Sequence, residues 1–233
     1  MDCINQRGIA YGIGVGPGDP ELMTLKAVRL IRENDIIVVP GKDPKDSVAY
    51  KIAEAVIPEI SGKTLVSVSM PMVNDKEALT HSHREAAKQI ESYLDDGKNV
   101  VYLTLGDVSI YCTFSYLQKI LEEDGYAVEL VSGIPSFCAA AARLNTPLVE
   151  GKEELHIVPG FYRRNETVSY DGTTVLMKSA SHMSDVKEYL REKNTTVFAV
   201  ENCGMENEKV YQTLDEIPDD AGYFSLIIAK NKY

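Results

Sequence analysis

The chain has 233 residues, 44% of them hydrophobic and 25% charged, which is enough apolar material to fill the cores of one large domain or two small ones. Its formal net charge of -11, with lysines and arginines scattered along the chain, argues against a nucleic-acid partner, because a phosphate backbone selects basic surfaces. No charged-then-apolar leader is evident, and no apolar run approaches the roughly 18–20 residues needed to cross a bilayer, so we expect a cytoplasmic protein with no membrane partner.

The first half of the chain alternates short β-branched runs with longer helical patterns, which is typical of βαβ units and of a mostly parallel sheet. Asp19 is placed to cap the first helix, and Pro20 stands at its first position, where a missing N–H costs nothing. Strands are predicted at residues 9–15, 36–39, 64–69, 100–105 and 127–131, and helices at residues 22–33, 47–56, 75–95 and 113–123.

Beyond Gly133 the pattern changes to more strand and less helix, which indicates a second domain with a tight junction near residues 131–135. The predicted fold class is therefore α/β with two domains: residues 1–131 around a mostly parallel five-stranded sheet, and residues 132–233 around a mixed sheet. In the second domain, helices are predicted at residues 135–144 and 184–192, and strands at residues 155–158, 174–178, 196–200, 209–213 and 223–229.

Four glycines lie close together where the first predicted strand ends. They are Gly12, Gly14, Gly16 and Gly18. Because glycine is favoured where the backbone itself comes close to a neighbour, this segment is predicted to be a binding loop. A dinucleotide fingerprint does not fit, since its third glycine would fall at Pro17 or Asp19. A P-loop and a G-x-S-x-G elbow are also absent from the sequence.

No metal site is predicted. His81 and His83 are two residues apart, and such a pair does not share a helix face. The cysteines are far apart and form no C-x-x-C pair, so neither a zinc site nor a disulfide framework is indicated. They are Cys3, Cys112, Cys138 and Cys203.

Three further segments place polar or glycine residues at the C-terminal ends of predicted strands, where open α/β sheets bind their ligands. They are residues 103–111, 131–137 and 201–205. The second of them runs into a helix whose free N–H groups would face the cleft. Each segment alone is explained by an ordinary turn after a strand, but together they predict one ligand-binding crevice.

Three motifs are distinctive in their order and spacing. Residues 15–26 are Val-Gly-Pro-Gly-Asp-Pro-Glu-Leu-Met-Thr-Leu-Lys, Gly106-Asp107 follows the fourth predicted strand, and Gly133-Ile134-Pro135-Ser136 follows the fifth. Over nearly the whole chain this pattern resembles the tetrapyrrole (corrin and porphyrin) methylases, which use S-adenosylmethionine. The likeness is greatest to members that methylate carbon 20 of precorrin-2 or cobalt-factor II in cobalamin synthesis. That narrower likeness rests on Met70-Pro71-Met72 followed by Asp75, on residues 103–117 with Tyr111 and Tyr116, and on residues 137–144 and 223–226.

The resemblance implies two α/β domains with S-adenosylmethionine bound in the cleft between them, usually in a homodimer. Two positions depart from the family pattern: Val108 replaces the proline of its G-D-P loop, and Ser132 replaces the proline of its P-G-V-S loop. Both changes restore a backbone N–H and loosen the preceding residue. The positions that match the family's cofactor-binding places are Pro17, Gly106, Asp107, Ile110, Pro135, Ser136, Met177 and, more weakly, Gly204.

Methyl transfer asks little of side chains, because the sulfonium is already an activated electrophile and departs as a neutral thioether. Alignment matters more: holding the methyl in line with a nucleophilic carbon at about 3–3.5 Å supplies roughly 7–11 kcal/mol. By resemblance that carbon is carbon 20, from which a base must afterwards take a proton. Asp107 and Tyr111 lie in the right loop to be candidate catalytic groups, with cofactor-binding carboxylate and core tyrosine as their alternative roles. Solvent is a further proton acceptor.

A tetrapyrrole with many carboxylates must be attracted by a local basic patch, since the protein as a whole is acidic. Phe161-Tyr162-Arg163-Arg164 is the predicted patch: the rings would cover the macrocycle, and Arg163 and Arg164 would pair with carboxylates. A solvated loop is the alternative interpretation of this segment. Two other functions stay open: a related methylase acting on another corrin carbon or on a protein acceptor, and a non-catalytic nucleotide-binding module.

Overall fold

The computed structural model describes residues 7–71, 73, 75–160, 171–179, 182–193 and 195–231. The chain divides into two compact units, Met1–Pro135 and Ser136–Tyr233. Each contains one five-stranded sheet. The fold class predicted from the sequence, two α/β units with a parallel sheet first and a mixed sheet second, is confirmed.

The first unit holds a parallel sheet in the order β3-β2-β4-β1-β5. Its strands are β1 (Ile9–Gly14), β2 (Ile36–Pro40), β3 (Thr64–Val68), β4 (Val100–Thr104) and β5 (Ala127–Val131). Its helices are α1 (Leu25–Glu33), α2 (Val48–Val56), α3 (Lys76–Asp95) and α4 (Phe114–Glu123). Every residue of the central strand β4 is buried, as expected for a strand covered by helices on both faces.

Alternate residues of β4 serve the two faces of this sheet. Val101 and Leu103 belong to a core that includes Ile31 of α1. Val100 and Tyr102 belong to a second core, shared by α3 and α4. The carboxyl ends of the five parallel strands therefore meet at one edge of the sheet, between these two helical layers.

The first helix begins later than its sequence pattern predicts. Asp19 accepts a hydrogen bond from Glu21 N–H at 2.9 Å, but it caps a short 3-10 turn, Pro20–Leu22, and not α1. Met23 is extended, and α1 starts at Leu25 with Thr24 as its cap, accepting from Ala27 N–H at 3.2 Å. The predicted start at residue 22 is therefore wrong, because the chain contains two capping signals in succession.

The caps of the next two helices lie where the sequence places the helix starts. Ser47 accepts from Tyr50 N–H before α2, and Asp75 accepts from Glu77 and Ala78 N–H before α3. The helix α3 is the longest, with 20 residues. Within the part of the chain that is described, no helix combines the length and apolarity that crossing a membrane requires.

The second unit holds a mixed sheet in the order β6-β7-β10-β8-β9. Its strands are β6 (Leu155–Pro159), β7 (Thr173–Met177), β8 (Thr195–Glu201), β9 (Lys209–Tyr211) and β10 (Ser225–Asn231), and its helices are α5 (Ser136–Arg143) and α6 (Met183–Arg191). The strand β10 is antiparallel to both β7 and β8. At one end of β10, Leu226 pairs with Met177 of β7 and Ser225 pairs with Glu201 of β8. The ends of β7 and β8 therefore lie at the same edge of this sheet.

Candidate functional site

Three loops at the carboxyl edge of the first sheet contact each other backbone to backbone. Gly106 N–H donates to Gly16 O at 2.7 Å, and Gly16 N–H donates to Gly106 O at 3.1 Å. A Cβ placed on Gly133 would lie 2.2 Å from Gly106 O, and one placed on Gly14 would lie 2.8 Å from Gly133 N. The segments that follow β1, β4 and β5 thus pack so closely that two of these positions admit no side chain.

Asp107 ties the second of these loops to the third. It is 7% exposed, and its Oδ2 accepts from Gly133 N–H at 2.9 Å. Its Oδ1 accepts from Ser109 N–H at 2.8 Å and from the Ser109 hydroxyl. With three donors already bound to it, the carboxylate holds the loops of β4 and β5 together.

The glycine cluster noted in the sequence is explained largely by the protein's own packing. A Cβ on Gly12 would lie 2.4 Å from the ring of Phe114, which is fully buried. Gly16 has φ +82° and packs on Leu22, so both conformation and space favour glycine there. At Gly12 and Gly16, therefore, the group that comes close to the backbone is another part of the same chain.

The two departures from the family pattern have different surroundings. Val108 is 4% exposed and belongs to the core under α3 and α4. Ser132 is exposed, and its carbonyl accepts from the Thr24 hydroxyl at 3.4 Å. The side chain of Val108 thus fills space in the core.

The loop between β4 and α4 is held at both ends. Cys112 is buried, donates through Sγ to Thr104 Oγ1 at 3.2 Å and accepts from Phe114 N–H at 3.3 Å. Tyr111, just before it, has φ +48°, which is a strained conformation for a residue with a side chain. Tyr111 is 43% exposed, and burial raises the pKa of its phenol above the usual value.

The second unit has its own loop at the sheet edge shared by Met177 and Glu201. Residues 202–204 include two positive φ values, 52° at Asn202 and 76° at Gly204. Glu208 closes this loop, because its Oε2 accepts from Gly204 N–H at 2.8 Å and its Oε1 accepts from Arg143 Nε. Burial alone would raise the pKa of Glu208, but the bonds from Gly204 and Arg143 outweigh it and lower that pKa.

Glu201, 7% exposed, closes the other side of the same edge. Its Oε1 accepts from Gly222 N–H at 2.9 Å, and its Oε2 accepts from the Tyr211 hydroxyl at 3.0 Å. Burial by itself would raise the pKa of Glu201, yet the hydrogen bonds from Gly222 and Tyr211 and the charge of Lys209 lower it overall. Sequence patterns did not indicate Glu208 or Tyr211, because a single acid or tyrosine after a strand carries no spacing signal.

The predicted site residues fall into two groups, one in each unit. Gly106, Asp107, Ile110 and Tyr111 share one loop of the first unit, and Asp107 joins it to the loop that ends at Pro135. Pro17 is buried between Gly16 and the 3-10 turn. Met177 and Gly204 lie at the common edge of the second sheet, and Ser136 opens α5. Arg163 and Arg164 lie outside the described residues.

Residues 10–218 match the family of tetrapyrrole (corrin/porphyrin) methylases. The chain belongs to this family, which confirms the resemblance seen in the sequence. The probable cobalt-precorrin-2 C(20)-methyltransferase of Methanocaldococcus jannaschii is 38% identical over 224 residues, covering 94% of this chain and 95% of that protein.

Solved structures share the fold. A cobalt precorrin-4 methyltransferase aligns with a TM-score of 0.74 at 20% identity, covering 95% of this chain and 94% of the other. The uroporphyrin-III C-methyl transferase of Thermus thermophilus, complexed with S-adenyl homocysteine, aligns with a TM-score of 0.68 at 22% identity, covering 96% of this chain and 97% of the other.

Proposed function

We propose that this protein transfers a methyl group from S-adenosylmethionine to carbon 20 of precorrin-2 or of its cobalt-bearing counterpart, in cobalamin biosynthesis. The observation that carries the proposal is the likeness to the Methanocaldococcus jannaschii protein, whose name states that reaction and which matches 94% of this chain at 38% identity. The likeness covers 94% of this chain and 95% of that protein, so it spans both units.

The described residues fit S-adenosylmethionine at the carboxyl edge of the first sheet. Gly106 has φ +74°, and a Cβ placed there would meet, apart from its chain neighbours, only Ile134 O at 4.0 Å. The Gly106 N–H and C=O are bound to Gly16, so what this position offers a ligand is open space beside the backbone, where a bulky cofactor can come close. This support comes in addition to the S-adenyl homocysteine named for the Thermus thermophilus structure.

When bound, S-adenosylmethionine supplies a methyl group on a sulfonium, which leaves as a neutral thioether. The protein's part is to hold the ligand in place, and positioning alone is worth up to roughly 7–11 kcal/mol. Asp107 contributes by fixing the loops of Gly106 and Gly133 relative to each other. Because its carboxylate already accepts three hydrogen bonds, we assign Asp107 a positioning role and do not make it the proton acceptor.

Tyr111 is assigned a similar supporting role. Burial raises the pKa of its phenol, so Tyr111 is protonated at neutral pH and can donate a hydrogen bond but not accept the proton from carbon 20. With neither Asp107 nor Tyr111 assigned as the base, we propose solvent as the acceptor of that proton. Tyr111, whose backbone has φ +48°, lies in the same loop as Gly106, between β4 and α4.

The remaining assignments follow from the family positions. We propose that residues of both units contact the cofactor: Pro17, Ile110 and Pro135 in the first unit, and Ser136, Met177 and Gly204 in the second. Arg163 and Arg164 are proposed to bind substrate carboxylates. The two arginines are proposed because a carboxylate-rich substrate needs a local basic patch on an acidic protein. For the cofactor, the network of Glu208 with Gly204 and Arg143 supports a fixed loop at Gly204.

The test is an incubation of the purified protein with methyl-labelled S-adenosylmethionine and, separately, with precorrin-2 and with its cobalt-bearing form. Carbon NMR of the product is expected to place the label on carbon 20. A label on another ring carbon would keep the family and refute the carbon-20 assignment. Absence of transfer to both forms would refute the proposal.

We also propose a cytoplasmic homodimer, on the strength of the family resemblance. Sedimentation velocity at micromolar concentration is expected to give a species of twice the chain's 25.8 kDa. A single monomeric species under these conditions would contradict it.

A further inference from the structure

Two rings from different helices stack in the first unit. His83 of α3 and Tyr116 of α4 have ring centroids 4.7 Å apart and planes 13° apart. His83 lies on the same face of α3 as the buried Ala87 and Ile90, so its imidazole points towards the sheet and is the inner ring. Tyr116 is 52% exposed although one face is covered by the imidazole. About half of Tyr116 thus stays open to solvent beside the stacked imidazole.

The pair, which we call the ring platform, is continuous with the loop that carries Asp107. Phe114 opens α4, and its buried ring packs 5.0 Å from the ring of Tyr102 in β4. The Tyr102 hydroxyl shares a hydrogen bond with Thr113 Oγ1 at 3.2 Å. These contacts fix the first turn of α4, including Tyr116, to the strand whose carboxyl end leads into the Asp107 loop.

The loop between β3 and α3 is bound to α3 next to His83. Ser82, the neighbour of His83, donates through its hydroxyl to Ser69 O at 2.9 Å. Met70, at the start of the same loop, packs against the core shared by α3 and α4. The ring platform is thus held by two of the loops that leave the carboxyl edge of the sheet, where open α/β sheets bind ligands.

We infer that the ring platform of His83 and Tyr116 binds the conjugated ring face of the tetrapyrrole substrate. The inference rests on the proposed function and specifies how the same site recognises its substrate. An exposed aromatic ring that is already held flat by a second ring loses little freedom on stacking, and such stacking contributes about 2- to 12-fold in affinity.

Two properties of the surroundings agree with this occupant. Burial lowers the pKa of His83, so the inner ring is neutral at pH 7.5 and stacks as an uncharged plane. Lys119 is exposed one turn after Tyr116 on α4 and places a positive charge beside the platform. A macrocycle with carboxylate side chains would use both its flat face and its charges there.

The test measures binding without turnover, using uroporphyrin III as a flat, fluorescent tetrapyrrole carboxylate at pH 7.5. Titrations compare the wild type with Tyr116→Ala, Tyr116→Phe and His83→Leu, and calorimetry gives the Kd of S-adenosylmethionine for each variant. Leu25→Ala, which removes an apolar side chain that is 88% exposed on α1, is the matched control. Thermal unfolding checks that each variant is folded.

We expect Tyr116→Ala to raise the Kd for uroporphyrin III by about 3- to 10-fold. His83→Leu should raise this Kd less, because the Tyr116 ring is still present and loses only the imidazole that supports it. The Kd for uroporphyrin III of Tyr116→Phe and of Leu25→Ala should stay within about twofold of the wild-type value. Phenylalanine keeps the stacking ring, and Leu25 is not part of the ring platform. The Kd for S-adenosylmethionine should be the same in all five proteins.

Unchanged uroporphyrin binding in Tyr116→Ala would overturn the inference, as would a wild type that does not bind the probe. A parallel loss of S-adenosylmethionine affinity would overturn it too, since the platform would then serve the adenine ring. If binding depends on Tyr116 while the wild type transfers no methyl group, the proposed function fails and the ring platform stands.

Discussion

Asp107 and Gly133, 26 residues apart in the sequence, are joined by a hydrogen bond of 2.9 Å from the buried Gly133 N–H to Asp107 Oδ2. This one contact connects the loops that follow β4 and β5. In the sequence the two residues belong to separate motifs, and each looks like part of an ordinary turn.

Asp107→Ala is expected to destabilise the fold and to weaken S-adenosylmethionine binding. The change leaves Gly133 N–H buried without its acceptor, which costs about 1–3 kcal/mol in unfolding free energy, and cofactor affinity should fall by a similar amount. Urea unfolding and calorimetry measure the two effects. Ser109→Ala, which removes only the hydroxyl donor to the same carboxylate, serves as the milder control. Cofactor affinity unchanged in Asp107→Ala would remove Asp107 from the site.

Gly133→Ala should be strongly destabilising, because its Cβ would lie 2.2 Å from Gly106 O, a backbone atom that has no room to rotate away. Overpacking of this kind costs about 1–3 kcal/mol or more. Gly62→Ala is the matched control, since no atom lies within 4 Å of the added methyl group. It should change the unfolding free energy by less than about 0.5 kcal/mol. Equal stability of the two variants would show that the three loops are not packed as described.

Gly12→Ala and Phe114→Leu are expected to couple. The added methyl at position 12 would lie 2.4 Å from the buried Phe114 ring, so Gly12→Ala alone should cost about 1–3 kcal/mol. Shortening Phe114 to leucine frees part of that space. The double variant should therefore be more stable than the sum of the single effects predicts, by about 0.5–3 kcal/mol. Additive losses in a double-mutant cycle would contradict the contact.

The stability of the second unit is expected to fall at acidic pH because of Glu201. Burial alone would raise its pKa, but its hydrogen bonds from Gly222 and Tyr211 lower it below the ordinary value of 4.5. A carboxyl with a lowered pKa in the folded state stabilises that state above the ordinary pKa, and the stabilisation is lost as the pH falls through the folded-state pKa. Glu201→Gln should therefore flatten the dependence of Tm on pH below 4.5.

The control for this measurement is Tyr211→Phe, which removes one of the donors to Glu201 and leaves the carboxylate. The dependence of Tm on pH for Tyr211→Phe should be weaker than that of the wild type and stronger than that of Glu201→Gln. A wild-type Tm that is as independent of acid as that of Glu201→Gln would mean that the carboxylate contributes nothing to stability.

The sequence predicted the order and type of the helices and strands well, because buried parallel strands and capped amphipathic helices carry strong periodic signals. Errors occurred where two local signals compete, as at Asp19 and Thr24, both of which can cap. Contacts such as Asp107 with Gly133, or Glu208 with Arg143, join distant segments and leave no local pattern.

The glycines show a second kind of limit. A cluster of glycines indicates that the backbone is closely approached, but not by what. In this protein Gly12 admits the ring of Phe114, and Gly14 admits the backbone of Gly133. Position in the sequence alone cannot separate such packing from contact with a ligand.

The reciprocal hydrogen bonds between Gly16 and Gly106 also bear on the thermodynamics of ligand binding. Because these loops are braced by backbone contacts, they are assembled before any ligand arrives, and binding does not have to order the chain there. The amide protons of Gly16, Gly106 and Gly133 should consequently exchange slowly with solvent in the ligand-free protein. The entropy lost on binding at this edge would then come mainly from the ligand.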